Sequence, residues 1–220
     1  MSIGINRIIL RVNGMKEKEF NIKGLYRIKK KDLKRCAEVA AQAFLEDESS
    51  KFLLSSKLTF KALYNYYLLI YKAVHDKMHM FAESENIDGF IIVTSIKNSE
   101  LSVWDCIKSG GLRIIFSLGL RVILRSLAYE RNCIKIRSEI ASLDDWYVFQ
   151  FGVCPAKQGC GLGSRIIKPF LNWLDSEKIA CYLETQKASN VNMYSHFGFS
   201  LKSIDTLPRK QASQFAMLRK

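Results

Sequence analysis

Apolar residues along the chain switch repeatedly between strand and helix spacing. A short run from Leu25 to Ile28 reads as a strand. Asp32 after it is placed to cap a helix whose apolar positions Leu33, Ala37, Ala40, Ala41 and Phe44 share one face. The segment "KLTFKALYNYYLLIYKAVHD" predicts a second helix. Two strand-like runs follow, "MHMFAE" and "GFIIVTSI", and Asn86, Asp88 and Gly89 between them supply turn chemistry, so the pair reads as a hairpin. Residues 101–140 read as mostly helical, their apolar stripe broken by arginines and by Gly119. "DWYVFQFGV" then predicts a strand, "LGSRIIKPFLNWLDSEK" a helix, "IACYLET" a strand and Asn190 to His196 a short helix, with one or two strands in the tail. Helices that separate pairs of strands put the chain in the α/β or α+β class, with a mixed sheet.

At 220 residues with 48% hydrophobic content the chain can fill one core, and its three prolines and lack of Ser/Gly-rich tracts mark no linker. Residues 25–220 are therefore expected to form a single domain, preceded by an extension, 1–24, whose structure the pattern does not specify. "NRIILRV" there reads as an edge strand, and Met15 is an alternative start. The N-terminus lacks a signal-peptide pattern. The most lipophilic window, Gly111 to Leu124, is too short for a membrane span and carries Arg113 and Arg121. Six cysteines without a C-x-x-C pair signal neither a zinc site nor a disulfide framework, so a reducing, cytoplasmic setting and no metal are expected. The formal charge of +13 favours an anionic partner: nucleic acid, a membrane surface or a phosphorylated cofactor.

The stretch "FGVCPAKQGCGLGSRIIKPFLNWL", residues 151–174, sets glycines between a strand-like and a helix-like run. Glycines let backbone N–H groups converge, and a helix N-terminus adds partial positive charge, so a phosphate is the natural guest. A Walker A loop fails, because the second glycine counted from Gly159 would be Ser164. The dinucleotide fingerprint keeps Gly159 and Gly161, with Glu184 further on, but loses its third glycine at the same Ser164. A plain strand-to-helix turn is the remaining alternative.

Gln158-Gly159-Cys160-Gly161-Leu162-Gly163 resembles the Q/R-x-x-G-x-G/A signature of the GCN5-related N-acetyltransferase (GNAT) family. With the flanks "FGVCPAKQGCGLGSRIIKP" and "YLETQKASNVNMYSHFGF" it resembles the branch containing puromycin N-acetyltransferase. The likeness is specific from Asp145 to Leu201, looser from Leu25 to Phe44 and absent before that. It implies a mixed, mostly antiparallel sheet of six or seven strands, splayed at the cofactor site and flanked by helices. It also implies direct acetyl transfer from acetyl-coenzyme A, through a tetrahedral intermediate, to the amine of a small molecule. By the same resemblance the cofactor would lie on Phe151, Gly152, Val153, Gln158, Gly159, Cys160, Gly161, Leu162, Gly163, Ser164, Asn190 and Tyr194. The N–H of Val153, at a strand bulge, would serve the oxyanion, and Tyr194 would be the general acid. The family's asparagine seven residues before the tyrosine is here Lys187, which suits a 3′-phosphate.

The general base is open, with Glu184 ahead of Asp144 and Asp145, which as an acidic pair at a strand start are expected to be solvated. His75 and His79 are four apart but lack the H-E-x-x-H glutamate, and His196 borders the cofactor site at best. Tyr64, Tyr66, Tyr67, Tyr71 and Trp104 are candidates for an acceptor wall or, more simply, for core. Acids are few in this region, which favours an amphipathic monoamine over a polycation. A protein or peptide N-acetyltransferase would need an open groove, against which the bulky segment 101–127 argues. A nucleic-acid-binding module without catalysis would gather its basic residues, which here are spread along the chain. An oxidoreductase binding a dinucleotide is the weakest option. The expected partners are thus a small amine, with neither nucleic acid nor membrane, and a homodimer stays open.

Overall fold

The structure, a computed structural model, describes residues 20–110, 118–207 and 212–220. The "NRIILRV" segment and most of the lipophilic window at 111–117 lie outside the described residues. Seven strands form one sheet: β1 (Tyr26–Arg27), β2 (His79–Ala82), β3 (Gly89–Ser95), β4 (Trp146–Val153), β5 (Cys181–Thr185), β6 (Ser200–Thr206) and β7 (Ser213–Arg219). Their order is β1-β2-β3-β4-β5-β7-β6, and every pair is antiparallel except β4 with β5. The helices described are α1 (Leu33–Ala43), α2 (Glu48–Leu54), α3 (Phe60–Val74), α4 (Val103–Lys108), α5 (Leu120–Ile140), α6 (Leu162–Glu177) and α7 (Ala188–His196). The mixed, mostly antiparallel α/β fold expected from the sequence is the one observed.

Strand periodicity sorts the core onto two faces. In β3, Phe90 and Ile92 pack with α1 and α3, whereas Ile91 and Val93 pack with α6. Helix α6 answers with Ile166, Ile167, Phe170, Leu171 and Leu174, a stripe at helical spacing that is buried throughout. Phe20 and Ile22 join this second face, where Phe20, His79, Trp146 and Trp173 stack as one aromatic cluster. Burial there lowers the His79 pKa to about 4. His75 stands on the turn after α3, bonded to Asp76, so the two histidines are not a ligand pair.

Three local features depart from the sequence reading. Asp32 makes no side-chain cap to α1: its carboxylate accepts instead from the Tyr26 hydroxyl (2.8 Å) and the Lys29 N–H (2.9 Å). Helix α2, too short for periodicity to reveal, is capped by Asp47, which accepts from Ser49 N–H. The β4 bulge falls at Phe149, since Val148 faces Val93 and Gln150 faces Ile92, and not at Val153, which pairs regularly with Gly89.

The decisive feature for the site is where β4 and β5 part. They pair only at Trp146↔Cys181 and Tyr147↔Tyr182. The bulge then bends β4, which stays with β3 as far as Val153, while β5 follows β7 as far as Thr185. A wedge opens between the two strands beyond Tyr147.

Candidate active site

The mouth of the wedge is built by the glycine turn. Cys154 N–H donates to Asp88 O (2.7 Å), closing the last β3–β4 contact. Alternation along an antiparallel strand then turns the N–H groups of Val153 and Phe151 away from β3, towards the wedge. The Val153 carbonyl on the same side accepts from Gln158 Nε2 (3.1 Å), which ties the turn to the strand. Gly159 (φ 77°) and Gly161 (φ 76°) take the left-handed conformation. A Cβ at either would meet nothing, so conformation and not crowding calls for glycine. At Gly163 the reason is close approach: a Cβ would lie 3.2 Å from the Phe151 ring.

Helix α6 starts after Gly161 with no side-chain cap, and Arg165 N–H bonds back to Gly161 O (3.2 Å). The N–H groups of its first turn therefore border the groove uncapped. Lys157 and Lys187 flank the same groove. Uncapped donors, a helix dipole and two lysines fit the pyrophosphate of a coenzyme A. Of the cofactor positions expected from the sequence, Phe151, Gly152, Val153, Gln158, Gly159, Gly161, Leu162, Gly163, Ser164, Asn190 and Tyr194 all line this groove. Cys160 does not: its exposed thiol donates to Lys157 O, and the residue faces a hollow on the other side with Glu83 and Arg165. His196 is exposed and bonded to Asn192 O, with Met193 and Phe197 lining the groove in its place.

Deeper in the wedge the groove joins a chamber of about 260 Å³. Six residues line both spaces: Phe44, Asp47, Phe151, Gln186, Asn190 and Tyr194. Beyond them the chamber runs between β4 and β5 on one side and α3, α4 and α5 on the other. Tyr194 is buried at the junction, beside Phe199. Burial and the nearby charge of Asp47 push its pKa up, so its hydroxyl stays protonated. Asn190 Nδ2 donates to Thr185 Oγ1 (3.1 Å), and Gln186 Nε2 to the Tyr129 hydroxyl (3.1 Å), a bond that clips α5 to the end of β5.

Glu184 points into the chamber with its side chain 5% exposed. Its Oε1 accepts from the Tyr147 hydroxyl (2.7 Å) and lies 3.9 Å from Arg137 Nη1, while Oε2 is buried with no hydrogen-bond partner. Burial raises its pKa against the lowering influence of Arg137. Arg137 is almost fully buried and stacks on the Tyr147 ring at 4.5 Å. Its Nη2 stands 3.7 Å from Glu130 on the preceding turns of α5, and burial pushes the Glu130 carboxyl up to about 7.

The other sequence candidates separate cleanly. Asp144 is exposed and Asp145 accepts from Ser142 N–H, so neither reaches the chamber. Tyr66 and Tyr67 line the chamber, Tyr71 is core and bonds Gln150 Oε1 (2.7 Å), and Trp104 is exposed. Asp47, Glu130, Arg137 and Gln186 were missed. Asp47 was visible as a cap residue ahead of Glu48 and Ser49, and Glu130 and Arg137 share a face of α5 at i, i+7, but nothing local ties either to a cavity.

Residues 129–199, which carry the second half of α5, the splayed strands, the glycine turn and α7, match the Acetyltransferase (GNAT) family. An N-acetyltransferase of Schizosaccharomyces pombe is 26% identical over 180 residues, 79% of this chain and 72% of that protein. Over this region the chain matches the acetyltransferases of the GNAT family, which supports an acyltransferase. The chain shares its fold with solved structures at low identity. One, described as histone acetyltransferase HPA2 and related acetyltransferase, is from Corynebacterium glutamicum (TM-score 0.60, 15% identical, covering 90% of this chain and 96% of that one). Another is an N-acetyltransferase from Staphylococcus aureus (TM-score 0.54, 16% identical, covering 88% and 98%). Among the described residues no helix is long and apolar enough to cross a membrane.

Proposed function

We propose that this acetyltransferase transfers the acetyl group of acetyl-coenzyme A to the amine of a small molecule held in the chamber. The observation that carries the reading is the meeting of two cavities at Tyr194, a donor-lined groove on one side and a chamber roofed by helices on the other. A roofed chamber suits a small molecule better than a polypeptide, which needs an open groove on both sides of the reacting atom. The likeness to the branch containing puromycin N-acetyltransferase supports the same choice.

Acetyl-coenzyme A, when bound, supplies an acetyl group activated as a thioester and a thiol that departs. The first-turn N–H groups of α6 and Lys157 and Lys187 hold its phosphates, and the free N–H groups of Phe151 and Val153 run along the strand edge towards the junction. There the Val153 N–H is a donor for negative charge on an acyl oxygen. An acceptor ammonium, with a pKa near 10, must first lose a proton. Glu184 takes it: a buried carboxylate with a raised pKa is a stronger base than an exposed one. The amine nitrogen forms the new bond to the acetyl carbon as the carbon–sulfur bond breaks. Tyr194 keeps its proton at the phenol oxygen and presents it where the thiol leaves. The products are an amide, a thiol and one proton passed on to water.

The test is thermal unfolding with acetyl-coenzyme A, free coenzyme A and NAD, followed by thiol release in the presence of amines. A saturable rise in midpoint with the two coenzyme A forms and none with NAD is expected, about 2.7 kcal/mol at a hundredfold excess over Kd. An equal rise with NAD, or none with coenzyme A, would overturn the cofactor assignment. Acetylation of peptides in preference to every small amine would overturn the acceptor assignment.

A further inference from the structure

The chamber reverses the charge of the chain. The protein carries +13, yet among the described residues the charged side chains lining the chamber are Asp47, Glu130 and Glu184, with no Lys, Arg or His in the lining. Arg137 stands behind the wall, 3% exposed, and supplies one positive charge to both glutamates. The rest of the lining is largely apolar and aromatic, with Tyr66, Tyr67, Ile70, Leu127, Tyr129 and Phe149 prominent. In such walls a net negative charge acts over a longer range than in water, because little solvent screens it. Glu184 lines the chamber, and its Oε2 is buried with no hydrogen bond of good geometry, although the Tyr182 hydroxyl and the Cys133 thiol stand beside its carboxylate. A carboxylate buried so keeps its charge only at a cost, which a cation in the chamber would reduce.

The three acids are not equally engaged. Asp47 Oδ1 caps α2 through Ser49 N–H and also accepts from the Ser49 hydroxyl. Glu184 is held by Tyr147 and faces Arg137. Glu130 has only Arg137 Nη2 at 3.7 Å, beyond hydrogen-bond length, and its side chain is 26% exposed. Among the described residues the groups around it are Arg137 and Cys133 on α5, Tyr66 on α3, Cys106 on α4, Tyr147 on β4, Glu100 ahead of α4 and Glu184 on β5. Apart from Arg137 and the neutral Tyr66, Tyr147, Cys106 and Cys133, its charged neighbours among the described residues are acids.

We propose that the chamber selects a cationic amine with an apolar, aromatic-sized body and no carboxylate, and that Glu130 is the residue that sets this preference. The proposal deepens the acetyltransferase reading and rests on it for the fate of the amine, which reacts at the Tyr194 junction. Glu130 stands on α5, across the chamber from the strands, and is given no part in the acyl transfer, so its effect is read on what is bound. A cation settling in the chamber favours the ionised carboxylate, so binding is tied to release of the Glu130 proton and tightens as pH rises through the neutral range. Zwitterionic amino acids bring a carboxylate that the three acids repel, and sugars bring hydroxyls that the apolar walls cannot pair.

The experiment measures binding separately from turnover. Phenethylamine, tryptamine, phenethyl alcohol, phenylalanine and glucosamine are titrated against the full chain by thermal shift, with and without coenzyme A, from slightly acidic to slightly alkaline pH. Saturable binding of the two hydrophobic amines is expected, tightening with pH although both stay cationic throughout. The other three ligands should not bind. Glu130→Gln is expected to weaken amine binding on the order of tenfold and flatten its pH dependence, and to raise KM more than it lowers kcat. Glu130→Asp should recover part of the preference. Equal binding of the alcohol or of phenylalanine, no binding of either hydrophobic amine, or unchanged amine affinity in Glu130→Gln would overturn the proposal. Coenzyme A alone, run alongside, reports on the acetyltransferase reading: a missing coenzyme A shift sinks that reading, while the amine titrations without coenzyme A still decide this one.

Discussion

Replacing Glu130 by Gln should make the protein more stable above neutral pH and leave it nearly unchanged in mild acid. The carboxyl is raised from 4.5 to about 7 because burial disfavours its charged form more than Arg137 favours it. A group whose folded pKa exceeds its unfolded one binds more protons when folded, so stability falls as pH climbs from the unfolded pKa to the folded one and is level beyond both. At about 1.4 kcal/mol for each pH unit, the rise amounts to about 3 kcal/mol once both states are ionised, near pH 8, and to less than about 1 kcal/mol near pH 5. Gln keeps the shape and carries no charge, so the variant escapes this cost. Urea unfolding of the two proteins at both pH values reads the difference as a shift in midpoint at constant slope. A variant that is no more stable than the parent near pH 8, or whose advantage does not shrink in acid, would refute the claim that Glu130 is held against its preference. The confirmed result would mark Glu130 as a residue kept for binding at the expense of stability, as functional sites commonly are.

Other perturbations test other parts of the site. Tyr194→Phe should cut turnover at least about tenfold and leave coenzyme A binding unchanged, because the lost hydroxyl is a proton donor and not an anchor. An unaltered kcat would remove Tyr194 from the chemistry. Arg137→Met should destabilise by about 3 kcal/mol near pH 8 by leaving Glu184 buried without its cation, and by less in acid, because the upward-shifted carboxyl can then take up a proton. Equal losses at both pH values in urea titrations would refute the pairing. Gly161→Ala places a side chain at φ 76° in open space, so a cost of about 1 kcal/mol from backbone strain alone is expected, together with weaker coenzyme A binding. Lys157→Glu combined with Lys187→Glu should weaken coenzyme A binding in a manner that salt diminishes, while the thermal midpoint without ligand barely moves.

Much of this architecture follows from interactions within a few residues along the chain. The stripe Ile166, Ile167, Phe170, Leu171 and Leu174 is legible because a helix brings i, i+3 and i+4 onto one face, and the alternation through Phe90 to Val93 because a strand turns successive side chains to opposite faces. The glycine turn is legible for the same reason, since φ at Gly159 and Gly161 is a property of single residues. Short elements escaped this logic: α2, with seven residues, is below the length at which a period declares itself. The capping of α1 by Asp32 failed because Tyr26 and Lys29 compete for the same carboxylate.

What tertiary structure alone decided is the chamber. Its depth depends on a bulge at Phe149 that no residue type announces, and on β4 and β5 parting after two paired positions, which is set by the register of each with its other neighbour. Glu184 meets Arg137 and Tyr147 across 47 and 37 positions of sequence, and Asp47 and Tyr194 line one junction although they stand 147 apart. Local spacing carries no information about such pairs. They are fixed when the whole sheet closes on its helices, and the acidic, aromatic space they enclose exists only after that closure.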